Sequence, residues 1–275
     1  MTKKKAKTRV DLILDRSGSM WSGRDETVIG YNEHVQQFRQ DAENQDLEVS
    51  LTTFNGNVFE HHWNVPAKEL NEATVESYQP GGLTALRDAI GYVIDKHLSE
   101  EDDLDYAHLV IIISDGGENA SRQYSPEMIS ELFEGCEKSG RWTFTFMGCD
   151  QAHLLNTGMQ LKAGNVAKWD NKSKKAAKRG MAGSKKAVAR YMAARCVDPN
   201  NFCPMNEDYW MPVRGAEGTQ GACGPCGLAD LTAANPDLDN SIYKPEGELC
   251  SSVFSTSNRV IGEGVTYNRP ASKTS

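Results

Sequence analysis

The chain has 275 residues, of which 39% are hydrophobic, and a formal net charge of −8. That is enough to bury one sizeable core, as one large α/β domain plus an appendage, and the acidic balance argues against nucleic-acid binding through the whole surface. No apolar run approaches the roughly 20 residues that a bilayer span needs, and the start Met1-Thr2-Lys3-Lys4-Lys5 lacks the apolar segment of a secretory signal. A cytoplasmic setting with no membrane partner is expected. Seven cysteines cannot all pair within one chain, and an intracellular setting favours thiols or metal ligation over disulfides.

Residues 1–8 read as a basic, solvated leader. Val10-Asp11-Leu12-Ile13-Leu14 is a short apolar run that ends in a carboxylate, as a buried parallel strand ending at a site would. Asp15, Ser17 and Ser19 then alternate with residues that let the backbone curl, so that three oxygens converge as a hard cation such as Mg²⁺ requires. Glu26 to Asn44 carries Val28, Tyr31, Val35 and Phe38 at helical spacing. Leu47 to Phe54 alternates as a strand, Asn55-Gly56 is a hairpin turn, and Asn57 to Trp63 returns antiparallel. His61 and His62 adjoin in that strand and point to opposite faces, so they share no metal.

Pro80-Gly81-Gly82-Leu83-Thr84 is a tight turn into a helix whose Leu86, Ile90 and Val93 share one face. Taken locally, Thr84 is an ordinary helix N-cap. The acidic stretch Glu100 to Asp105 reads as a solvated loop. His108 to Ile113 is a second continuous apolar strand, ending in Ser114-Asp115-Gly116-Gly117, so two buried strands deliver two carboxylates.

The order Asp15-x-Ser17-x-Ser19, then Thr84 after a glycine turn, then Asp115 at a second strand end resembles the metal-ion-dependent adhesion site of the von Willebrand factor type A family. The resemblance implies hydroxyl ligands from Ser17, Ser19 and Thr84, with Asp15 and Asp115 acting mainly through coordinated waters. It implies Mg²⁺, with Mn²⁺ or Ca²⁺ as substitutes. The Ser-Gly-Ser-Met, Gly-Gly-x-Thr-Ala-Leu and Ser-Asp-Gly wording is similar to intracellular bacterial and phage members.

Such a site binds rather than catalyses. With neutral hydroxyls on the cation and carboxylates set back, the metal keeps positive charge and an open position for a partner's Asp or Glu. The expectation is a metal-dependent protein-binding module, not an enzyme. An aspartate-based phosphotransfer enzyme would use Asp15 as nucleophile, but position 17 is Ser where a second acid would be needed.

Further on, Ser125-Pro126-Glu127 opens a helix, residues 141–148 form a fifth strand, 151–160 a short helix and 165–169 a sixth strand. The expected fold class is α/β: a doubly wound, mainly parallel six-stranded sheet with one antiparallel edge strand, over residues 9–195. Ser173 to Cys196 is a basic helix carrying Lys174, Lys175, Lys178, Arg179, Lys185, Lys186, Arg190 and Arg195. It reads as a covering helix with a solvated cationic face; docking nucleic acid or an acidic protein is the rival reading. Gly180 and Gly183 would let it approach the sheet closely.

Residues 196–275 hold seven of the ten prolines and read as an extended, loop-rich arm that either stays mobile or lies on something else. Cys196, Cys203, Cys223, Cys226 and Cys250 are candidates for a Zn²⁺ site, for disulfides or for plain thiols. Cys223-Gly224-Pro225-Cys226 has the spelling of a redox motif but lacks the flanking strand and helix. The arm supports an alternative function: a structural subunit of a larger assembly such as a phage virion, docking on its neighbours.

Overall fold

The computed structural model describes residues 4–100, 104–115, 117–148, 157–169, 173–205, 209–210, 229–230 and 260–261. Strands β1 (Lys7–Asp15), β2 (Asp46–Phe54), β3 (Val58–Pro66), β4 (Tyr106–Ile113), β5 (Trp142–Gly148) and β6 (Val166–Lys168) build one sheet. All pair in parallel except β3, which runs antiparallel to β2. The two-residue strands β7 (Ala229–Asp230) and β8 (Val260–Ile261) add to the outer sides, for the order β7-β6-β5-β4-β1-β2-β3-β8. The expected mixed, mainly parallel α/β sheet is present.

Helices α1 (Arg24–Asp41) and α4 (Lys174–Val197) cover one face; α2 (Leu86–Ser99) and α3 (Pro126–Lys138) cover the other. Alternation along β1 divides its side chains between them: Val10, Leu12 and Leu14 meet Val35, Phe38 and Val188, while Ile13 meets Ile90, Val93 and Phe133. The expected helix 151–160 lies mostly outside the described residues.

Where α1 meets α4, a Cβ on Gly30 would fall 2.3 Å from Met181 Cε. Where α4 meets the sheet, one on Gly180 would fall 2.0 Å from Trp169 Cδ1. These glycines set how close α4 sits, the role expected of Gly180. His34 links the same helices, with one ring nitrogen bonded to the Gly30 carbonyl at 2.7 Å and the other to Ser184 Oγ at 3.0 Å. Burial pushes His34 down to about 4, so it is neutral, donating from Nδ1 and accepting at Nε2.

Two local expectations are corrected. β1 begins at Lys7, inside the stretch expected to be a solvated leader, because Lys7 and Thr8 already pair with β2 and β4. Arg195 does not belong to a solvated cationic face: it is fully buried and donates to the carbonyls of Lys7, Pro199 and Asn201 at 3.0, 3.0 and 2.6 Å. Tyr209 and Trp210 are buried in the same core cluster as α1 and α4. Trp210 donates from its ring to the Asn165 carbonyl at 2.9 Å, and Arg190 donates to the Tyr209 carbonyl at 2.9 Å. The chain just beyond α4 thus lies on its own domain.

Candidate metal centre

In this strand order β1 and β4 are adjacent, and the chain leaves them in opposite directions, β1 towards β2 and β4 towards β5. Their carboxyl ends form the topological switch point at which open α/β sheets bind ligands. Asp15 is the last residue of β1, and Asp115 follows β4 by two residues.

The four residues from these two loops form one hydrogen-bonded line. Asp15 Oδ1 accepts from the Ser17 amide at 2.6 Å and Oδ2 from Ser114 Oγ at 2.5 Å. Ser17 Oγ and Ser19 Oγ share a bond of 3.0 Å, and Ser19 Oγ donates to Asp115 Oδ1 at 2.6 Å. Asp15, Ser17 and Thr84 are buried, and Ser19 is open to solvent. Burial pushes the Asp15 carboxyl up to about 6, against the opposing pull of the bonds from Ser114 and Ser17.

Thr84 is held by backbone bonds from another loop. Its amide donates to Asn119 Oδ1 at 2.8 Å, and its carbonyl accepts from the amides of Asn119 and Ala120 at 3.0 and 3.1 Å. The glycine turn before it is tied to the first loop: Gly18 N donates to Gly82 O at 3.1 Å and Gly81 N to Arg16 O at 2.8 Å. Gly82, at φ +83°, adopts the left-handed conformation that the turn needs. The local N-cap reading of Thr84 fails, because Ala85 is the cap residue of α2 and no side chain caps it.

Several supporting residues carried no local signal. Tyr78 is buried and donates its hydroxyl to the Asp15 carbonyl. Asn55, read as a hairpin residue, also donates to Gly81 O at 3.0 Å and accepts from Ala85 N at 2.6 Å through its carbonyl. Glu118 accepts from Ala120 N, Ser121 N and Arg87 N, which ties the Asn119 loop to the start of α2. Ser114, adjacent to Asp115, is the one such residue already visible in a motif.

The donor set consists of oxygens alone, two from buried or half-buried carboxylates and the rest from hydroxyls. With no nitrogen or sulfur among them, and with Asp15 driven towards its neutral form, the chemistry fits a hard divalent cation that would restore the carboxylate.

Of the candidate cysteines, Cys223, Cys226 and Cys250 lie outside the described residues. Cys203 directs its thiol at the carbonyls of Gly140 and Trp142, at 3.1 and 3.3 Å, and burial raises its pKa. Among the described residues, the one grouping of nitrogen, sulfur or carboxylate ligands is elsewhere: Asp11, His97 and His108.

A doubly wound sheet with oxygen side chains gathered at its switch point is the arrangement in which open α/β sheets bind ligands. The family model for the von Willebrand factor type A domain matches residues 10–154, and the chain belongs to that family. Its domains serve mainly as adhesion or interaction modules. Similar solved structures include the PilB minor pilin from Streptococcus sanguinis, at 13% identity over 70% of this chain and 63% of that one, TM-score 0.47. Proximal thread matrix protein 1 from the mussel byssus is 12% identical over 68% of this chain and 46% of that one, TM-score 0.46. Manganese-loaded TRAP protein from Plasmodium vivax is 17% identical over 60% of this chain and 69% of that one, TM-score 0.44. The chain spans less than two thirds of the pilin and of the byssus protein, and no curated protein matches it. Among the described residues, no helix is long and apolar enough to cross a membrane.

Proposed function

We propose that this chain is a metal-dependent protein-binding module. Asp15, Ser17, Ser19, Thr84 and Asp115 would hold Mg²⁺, or Mn²⁺ or Ca²⁺ in its place, and the cation would supply a positive charge with an open position for an Asp or Glu of a partner protein. The observation that carries this reading is the hydrogen-bonded line from Asp15 through Ser17 and Ser19 to Asp115 at the switch point. This chain's residues hold the framework: Ser114 and the Ser17 amide fix the Asp15 carboxyl, and Asn119 fixes the Thr84 backbone.

The surroundings suit a protein ligand. Trp21 and Leu83, each 57% exposed, stand two residues after Ser19 and one before Thr84. Exposed apolar side chains beside a charged contact are what an interface centre uses. The Asp15 carboxyl is engaged by the Ser17 amide and the Ser114 hydroxyl. An intracellular bacterial or phage setting is part of the proposal, on the wording of the three loops.

A second reading, a structural subunit of a larger assembly, rests on residues 196–275. The two described strands of that segment, β7 and β8, pair with opposite edges of the sheet, the mode by which an arm laces onto an edge. Capture from native host extract, with Mg²⁺ and again with chelator, separates the readings. A partner held by wild type with Mg²⁺ and lost with chelator or on Asp15→Ala supports metal-mediated recognition. The same partner retained in every lane, and lost on truncation after residue 211, overturns it in favour of the arm.

A further inference from the structure

Asp11 sits in the middle of β1, its side chain 1% exposed and on the same face as Ile13 and Asp15. His97 lies in the last turn of α2 and His108 near the start of β4; both are buried. One ligand atom from each of the three falls within 4.8 Å of the other two. His97 Nε2 and Asp11 Oδ1 are 2.9 Å apart.

An Asp–His ion pair does not account for the cluster. It uses one carboxylate oxygen and one ring nitrogen, while Asp11 Oδ2 and His97 Nδ1 are buried without a hydrogen-bond partner. A buried carboxylate with half its acceptor capacity unmet is costly, and buried polar groups are nearly always satisfied. Apolar residues in its place would avoid that cost, so the presence of this unsatisfied group in an aromatic pocket points to a ligand.

The pocket also fixes the ligands. The His108 ring stacks on Trp142 at 4.0 Å and 8°, and the His97 ring lies 4.3 Å from Trp63. Ring orientations held from outside are what a metal site needs. Two borderline imidazole nitrogens beside one carboxylate, in place of the all-oxygen set at Asp15, suit Zn²⁺ or a neighbouring transition metal. Ligand atoms around tetrahedral Zn²⁺ stand roughly 3.3 Å apart, so a small rotation of the side chains closes the cluster.

We propose that Asp11, His97 and His108 form a second metal site, selective for Zn²⁺-type transition metals and buried at the base of the domain. Its three ligands come from the elements that carry the upper loops: β1 leads to Asp15, β4 leads to Asp115, and α2 begins beside Thr84. Four strand residues place it roughly 13 Å below Asp15. A bound ion braces β1, β4 and α2 against one another and thereby holds the upper loops in register. The site stands independently of any cation at Asp15.

The test is refolding of the full chain in Mg²⁺ with and without one equivalent of Zn²⁺, followed by NMR of ¹⁵N-labelled histidine rings. Zn²⁺ is expected to shift the His97 and His108 ring nitrogens and leave those of His34 and His61 in place. In a parallel titration, His108→Gln is expected to lose Zn²⁺ affinity by at least ~100-fold, beyond what loss of an outer-shell partner costs, while Asp15→Ala keeps it. If the His97 and His108 rings do not respond while Zn²⁺ is taken up by cysteine thiols, the proposal is wrong. The same holds if a folded His108→Gln binds Zn²⁺ as wild type does. The ring spectra of the wild-type chain decide the matter even if the variant does not fold.

Discussion

Ser19 Oγ donates to Asp115 Oδ1 at 2.6 Å across 96 residues of sequence, joining the loop after β1 to the loop after β4. The bond holds a solvent-facing hydroxyl at the mouth of the site and links Asp115 to the line that begins at Asp15. Ser19→Ala removes it without opening the core, since Ser19 is exposed.

Mg²⁺ is therefore expected to stabilise wild type by about 2.7 kcal/mol at one hundred times its Kd, seen as a higher melting temperature, and to do much less for Ser19→Ala. The proton competes with the cation for Asp15. With its carboxyl pushed up to about 6, Mg²⁺ affinity should hold above that pH and fall roughly tenfold per pH unit below it. Thermal melts at several Mg²⁺ concentrations, at pH 7.5 and pH 5, read both effects; equal shifts at the two pH values would show that Asp15 does not sense the ion.

Asn119 reaches Thr84 from a different loop through two bonds, accepting from the Thr84 amide at its Oδ1 and donating its own amide to the Thr84 carbonyl. Asn119→Ala leaves the Thr84 amide without that acceptor and should cost about 1–3 kcal/mol of local order. Mg²⁺ affinity, measured by calorimetry, is expected to drop on the order of tenfold, with the far-ultraviolet spectrum unchanged.

Glycine-to-alanine changes should have opposite signs at two helical positions. In Gly180→Ala the new methyl meets Trp169 Cδ1 at 2.0 Å, and overpacking should cost about 1–3 kcal/mol in spite of the better helix propensity. In Gly135→Ala, within α3, nothing lies within 4 Å of the new atom, so a gain of roughly 0.5–1 kcal/mol is expected. Urea unfolding of the two variants side by side decides this.

Trp210 is 4% exposed and lies beyond every helix of the domain. Trp210→Ala should destabilise the whole domain by about 3–5 kcal/mol. A urea midpoint equal to that of wild type would mean that residues 209–210 do not belong to its core.

His34 supplies a pH signature. Burial lowers it from 6.5 to about 4, so the unfolded chain takes up its proton first as the pH falls. Its contribution is fully present above pH 6.5 and is lost as the pH falls to about 4, a total of roughly 3 kcal/mol. Asp15 and Asp41, pushed up to about 6 by burial, act in the opposite sense over part of that range. The difference between wild type and His34→Gln isolates the histidine: it should shift by about 3 kcal/mol against wild type between pH 7 and pH 4.

The order of strands and helices, the two aspartates at strand ends and the hydroxyl pattern of the first loop were all legible in the chain as written. Each is a property of neighbouring residues: a continuous apolar run at β1 and β4, helical spacing in α1, glycine chemistry before Thr84. Tertiary structure alone decided which side chains stand behind them. Nothing local marks Asn119 as the clamp on Thr84, Tyr78 as the donor to the Asp15 carbonyl, or Arg195 as a buried link to Lys7 rather than a surface cation. The same is true of Asp11, His97 and His108, which read singly as a polar interruption of one strand, a residue near a helix end and the start of another strand. They meet because β4 pairs directly with β1 and α2 packs across both. That adjacency comes from burying two apolar strands side by side, a long-range event that no local periodicity encodes.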